Sequence, residues 1–161
     1  MDKYFNSSIP FPLSAEQVLQ QIVDFMKQDR LSDYRITIGT DSQANADQKA
    51  DFVTAIVVHR IGKGARYFWT RSGDMVKFHS LRDRITREVL ISLDSAHKFS
   101  EGLAAFTDAP KFDFEIHLDI GQNGETRKMI QELVGMIRAN NFEVKTKPDS
   151  YAASNVADKH V

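Results

Sequence analysis

The chain has 161 residues, 42% of them hydrophobic, and 21 Lys and Arg against 22 Asp and Glu leave a formal charge of −1. That length suits one domain with a short appendage and a core large enough to need no covalent staples, and the near-neutral balance excludes a histone-like basic protein or an acidic solvating tail. Cysteine is absent, which excludes disulfides, thiolate metal sites and a Cys nucleophile.

The longest nearly apolar run, Phe52 to Val58, is far short of the ~18–20 residues a membrane span needs, and the first residues have no apolar signal-peptide region. These features predict a soluble, cytoplasmic protein without membrane contact. Residues 1–13 read as irregular, with Pro10 and Pro12 forcing extended backbone around Phe11. Ser14 and Gln17 have capping-box spacing and open a helix with the stripe Val18, Leu19, Ile22, Phe25 and Met26, ending near Arg30. A strand follows over 35–42, with Ile36, Ile38 and Thr40 on one face and Thr37, Gly39 and Asp41 on the other. Residues 51–59 are almost continuously apolar, as in a strand covered on both faces. Gly62-Lys63-Gly64 turns the chain into a third strand, 66–71, completing an antiparallel meander.

Ser80 and Asp83 have N-cap spacing before a long helix from Leu81 past Ala96. Residues 112–119 alternate as a fourth strand. A helix over 125–139 carries Met129, Ile130, Leu133, Met136 and Ile137, and 142–147 forms a fifth, edge strand. An Ala-rich helix from Tyr151 to about Lys159 closes the chain, with Asp149 as its N-cap. The order β-β-β-α-β-α-β-α after one extra N-terminal helix implies an α/β fold, a mixed five-stranded sheet with helices on its faces. The expected division is an N-terminal extension, 1–30, and a domain, 31–161.

Four acids fall where such a sheet can gather them. Asp41 ends the first strand and Asp119 the fourth; as parallel neighbours these strands would bring both to one edge. Glu88 lies on the helix stripe of Leu81, Ile85, Ser92 and Ala96, where an ionised carboxylate is costly unless paired or bound to a cation. Asp158 follows the small residues Ala152, Ala153 and Ala157, which permit close approach of the last helix to the sheet. Each acid also has a structural use: Asp41 and Asp119 can close turns, Glu88 can pair with Arg84 or Arg87, and Asp158 can be a solvated helix residue.

This order of acids resembles the ribonuclease H-like superfold. More narrowly, Ile38-Gly39-Thr40-Asp41-Ser42-Gln43, Leu118-Asp119-Ile120, and Lys147-Pro148-Asp149 with Ala157-Asp158-Lys159 are similar to the bacterial YkuK family, over roughly residues 31–161. The resemblance implies a two-metal site in which Asp41, Glu88, Asp119 and Asp158 hold Mg²⁺ or Mn²⁺. Such hard cations take oxygen ligands, and a pair of them can activate water and stabilise a leaving oxygen.

Eight basic residues, Arg60, Lys63, Arg66, Arg71, Lys77, Arg82, Arg84 and Arg87, crowd one stretch with Tyr67, Phe68 and Trp69 interleaved. Arg60, Lys63, Arg66, Arg71 and Trp69 are the expected nucleic-acid contacts, although the same residues could serve as a solvated face and sheet packing. The leading expectation is a metal-dependent nuclease acting on RNA or DNA. The alternative is a non-catalytic nucleic-acid-binding or protein-interaction module on the same fold. Gly39 and Gly62-Lys63-Gly64 are too sparse for the phosphate loop a nucleotide-handling transferase would need.

Overall fold

Five of the six strands of the main sheet run side by side in the spatial order β5-β4-β3-β7-β8. The first three are β3 (Tyr34–Ala44), β4 (Lys49–Arg60) and β5 (Ala65–Arg71); β7 is Asp113–His117 and β8 is Glu143–Lys145. The structure, a computed structural model, describes residues 3–73, 75–121, 127–147, 149–150 and 152–160, without the side chains of Ala152, Ser154, Asn155 and Asp158. β3, β4 and β5 are antiparallel, whereas β3, β7 and β8 are parallel. Short links permit the first arrangement, while α2 (Leu81–Ala104) and α3 (Arg127–Ala139) lie in the stretches that return the chain to parallel strands. Gly62 and Gly64 have φ of +76° and +98°, conformations without a Cβ penalty only for glycine, and they close the β4–β5 turn.

Alternation along β3 decides which helix covers which face. Ile36 and Ile38, with Ile56, Val58 and Phe68 of β4 and β5, join one core with α1 (Ala15–Lys27), α2 and α3. The opposite face presents Val53 and Ala55, which pack with Ala157 of α4 (Ala152–His160) and with half-buried Trp69 and Val156. Ala153 and Ala157 are fully buried, so small side chains let α4 lie close to the sheet.

The Ser14–Gln17 capping box forms as the sequence predicts, and α1 buries Val18, Ile22, Val23, Phe25 and Met26 in the same core as the sheet. It ends at Lys27, three residues before the expected stop. Residues 1–13 depart from the irregular expectation: β1 (Tyr4–Phe5) pairs with β2 (Leu13–Ser14). Asn6 also bonds through its backbone to Trp69, with N–O distances of 2.7 and 3.0 Å. The beginning of the chain thus covers the exposed edge of β5, satisfying donors and acceptors that would otherwise invite another strand.

Further differences lie at the other end. β3 and β4 extend beyond the predicted strands into a long hairpin, and a two-residue β6 (Val76–Lys77) adds to β4 near its tip. Leu81, expected on the buried stripe of α2, is 41% exposed; the stripe runs through Ile85, Val89, Ser92, Leu93, Ala96, Phe99 and Leu103. Among the described residues, no helix is long and apolar enough to cross a membrane.

Candidate metal centre

Register places the strand carboxylates. β3 and β7 are parallel, with Gly39 opposite His117. Two residues further, the chains reach Asp41 and Asp119 at one level on the same edge of the sheet. β7 ends at His117 rather than continuing to Asp119. The chain is nevertheless held there: Leu118 N donates to Lys145 O at 2.9 Å and Lys147 N to Ile120 O at 3.1 Å.

Glu88 reaches this edge from α2 by a match of two periods. Glu88 and Ser92 are one helical turn apart, ~6 Å, and Ser42 and Thr40 are two strand residues apart, ~6.6 Å. The pairs meet. Ser92 Oγ donates to Thr40 Oγ1 at 2.8 Å, and Ser42 Oγ donates to Glu88 Oε1 at 2.5 Å. Thr40 Oγ1 also lies 3.0 Å from Thr54 Oγ1, so a polar seam runs from the buried sheet to the half-buried Glu88.

Removal from water pushes the Glu88 carboxyl up to about 8; the Ser42 hydrogen bond opposes this, the charges of Asp41 and Asp119 reinforce it, and Arg84 opposes it. Glu88 therefore feels both strand carboxylates, as three acids converging on one edge must. Asp41 Oδ1 accepts from Ser42 N at 2.8 Å. Asp119 Oδ1 is held by Lys147 Nζ at 2.7 Å.

The donor chemistry suits a hard divalent cation: all the side chains are oxygen donors, and one is a desolvated carboxyl. The spacing is looser than a ligand shell. Among the described residues, no group of three or more His, Asp or Glu side chains is close enough to hold a metal ion. Asp158 lies on α4, which packs over β3 and β4, but its side chain is outside the described residues.

Beside Asp119 lies a second polar group. His117 is 2% exposed and shares Glu115 with Arg35: His117 Nε2 donates to Glu115 Oε2 at 3.0 Å, and Arg35 Nε lies 3.5 Å from Glu115 Oε1. Burial holds the His117 pKa below its ordinary value against the pull of Glu115. Burial thus favours the neutral ring, which meets Glu115 through Nε2.

The expected nucleic-acid contacts divide between two ends of the sheet. Arg60 pairs with Tyr34 at the far end of β3 from Asp41. Its guanidinium donates to Phe25 O at 2.6 Å and Tyr34 Oη at 3.0 Å, and lies 4.1 Å from the Phe25 ring. Lys63 is tied to Asp29 and Ser32, and Arg66 to Gln21. The structure does not bring these three to the carboxylates, because each fastens the β4–β5 end to α1 or the loop after it.

Arg71 and Trp69 sit at the carboxylate end. Arg71 is level with Asp41 through Val53, about 10 Å away across two strand spacings. It pairs with Asp51 at 3.4 Å and donates to His160 O. The Trp69 ring stacks on His160 with centroids 4.0 Å apart and planes 10° apart. Both residues thereby hold the end of α4, so neither is a free platform. Sequence reasoning missed Ser42 and Lys147 as partners of the carboxylates; both lie within the quoted motifs, but only the folded register shows whom they meet.

Comparison with known proteins agrees with this architecture. The ribonuclease H-like family model matches residues 17–161. A relative, the uncharacterized protein YkuK of Bacillus subtilis (strain 168), is 36% identical over 156 residues, covering 91% of this chain and 90% of its own length. No solved structure matches. The parallel β3–β7 pair with Asp41 near the end of one strand and Asp119 just past the other, the half-buried glutamate on α2 and these matches together place the chain in the YkuK family of ribonuclease H-like proteins.

Proposed function

We propose that the protein is a divalent-cation-dependent nuclease that hydrolyses nucleic-acid phosphodiester bonds, with Asp41, Glu88, Asp119 and Asp158 as the residues that would hold Mg²⁺ or Mn²⁺. The observation that carries this reading is the convergence of Asp41, Glu88 and Asp119 on one sheet edge, strong enough to help push the Glu88 carboxyl up to about 8. A pair of such cations supplies water activation and charge neutralisation at the leaving oxygen.

This chain's own residues do the rest. Asp41, on the central strand β3, would be the carboxylate best placed to contact the cations. Ser42 orients Glu88 by its hydrogen bond. Lys147 neutralises Asp119 in this structure, and a cation held by Asp119 would free its ammonium to contact anionic substrate. Asp41→Asn preserves the shape of the side chain while removing its charge. It is expected to abolish Mg²⁺- or Mn²⁺-dependent cleavage of a labelled oligonucleotide without lowering the melting temperature; cleavage that survives the change contradicts the assignment.

A second reading, a non-catalytic nucleic-acid-binding or protein-interaction module, draws on the engaged state of the carboxylates. Asp119 is ion-paired, Glu88 retains its proton at neutral pH, and the described acids form no ready ligand group. It predicts polynucleotide binding that is indifferent to chelators and never followed by cleavage.

A further inference from the structure

The hairpin tip carries two lysines in an arrangement the fold does not require. Lys49 of β4 and Lys77 of β6 are direct cross-strand partners, so their side chains rise from the same face. Like charges directly opposite one another oppose strand pairing, yet β6 pairs with the sheet only at Lys49 and Ala50. Both lysines are exposed, and among the described residues neither has an ion-pair partner within 4.0 Å. Nearby Asp51 is committed to Arg71, Ser72 and the amides of Phe52 and Gly73. Among the described residues, Asp47, in the adjoining turn, is the other acid near the pair.

Next to the pair, Asn45, whose backbone N donates to Lys49 O at 2.8 Å, and Met75, two residues before Lys77, help line a groove of about 270 Å³ with Gln43, Asp51, Val53 and Arg71. One of its lining residues, Val53, is the register partner of Asp41. Lys49 lies four residues farther along β4, about 13 Å out. Met75, 46% exposed and two residues before Lys77, adds apolar surface on the lysine side.

We propose that this groove and the Lys49–Lys77 pair seat the backbone of a single-stranded polynucleotide leaving the carboxylate edge. The inference depends on the nucleic-acid reading above for its ligand but not on catalysis. An anionic backbone relieves the lysine repulsion, and unstacked bases can lie against Met75. A duplex would present a second backbone, whereas Arg60, Lys63 and Arg66 stand at the opposite end of the sheet and are engaged there.

The test is anisotropy of a labelled oligothymidylate titrated with the full chain in EDTA, where cleavage cannot occur, over a range of salt. Lys49→Ala/Lys77→Ala is expected to weaken binding about tenfold at low salt and to flatten the log K against log salt slope by ~1.4, the loss of two single-strand phosphate contacts. Its melting temperature should equal or exceed that of the parent, because a repulsion is removed. Lys49→Arg/Lys77→Arg should keep the parental slope, and Lys63→Ala/Arg66→Ala should leave affinity unchanged. Unchanged affinity and slope in the double alanine variant overturn the proposal, as does tighter binding of a blunt duplex than of the single strand. If Asp41→Asn leaves cleavage intact while the lysine pair still carries binding, the assignment of the carboxylates as the metal site fails and this inference stands.

Discussion

Glu88 shows how one residue's surroundings set its chemistry. Burial beside Asp41 and Asp119 favours its neutral form, and one Ser42 hydroxyl favours the charged form. Between its ordinary value of 4.5 and about 8, the folded protein keeps a proton that the unfolded chain has released. The resulting stability is full below pH 4.5 and is lost as pH rises through 8. Urea denaturation of the metal-free protein should therefore give lower stability at pH 8 than at pH 5. Glu88→Gln should flatten that slope and gain on the order of 2 kcal/mol over the parent at pH 8, a value reduced from the full linkage because the side chain is only half-buried. An identical slope in both proteins contradicts the placement of Glu88. Cation binding must displace the same proton, so Mn²⁺ affinity is expected to rise between pH 6 and pH 8, by up to about tenfold per pH unit. Titration at fixed salt measures that dependence.

At the scale of elements, the two ends of the chain are fastened by specific contacts. Ser14→Ala removes the capping box of α1 and should cost about 1 kcal/mol in chemical denaturation. Trp69→Ala removes the ring stacked on His160 and should cost about 2 kcal/mol. It should also accelerate amide hydrogen exchange across 153–160 while leaving 113–117 protected; equal protection of α4 in both proteins would show that the stack does not hold it. The element order was legible in the sequence because the periods are clean: the stripe of α1, the alternation of β3 and the apolar run of β4 each have one reading. The parallel placement of β3 and β7, and with it the meeting of Asp41 and Asp119, followed from that order. The edge role of residues 4–6 was not legible, because two-residue strands carry no period and Asn6 meets Trp69 across more than 60 residues of chain. The same limit applies to Arg60, Lys63 and Arg66. Basic side chains on a strand look alike in sequence whether they await a phosphate or, as Arg60 does, satisfy the last carbonyls of a helix. Leu81 was assigned to the buried stripe because helical spacing extends to the first turn; that turn overhangs the sheet and is partly solvated.

Across the whole molecule, the formal charge of −1 averages over separated regions. Acids gather at the edge where β3 and β7 end, cations line the overhanging β4–β6 tip, and a second cationic group secures α1 at the opposite end. The carboxylate edge is central to this account, and metal-linked stability tests it most directly. Melting of the full chain should be followed during titration with Mn²⁺ at pH 8, for the parent and for Asp41→Asn. Specific binding stabilises the folded state by about 2.7 kcal/mol at a hundredfold excess over Kd, so the parent should show a saturable rise of several degrees and Asp41→Asn little or none. A parent melting temperature that ignores Mn²⁺, or a rise that persists undiminished in Asp41→Asn, would contradict the assignment of that edge as a metal centre.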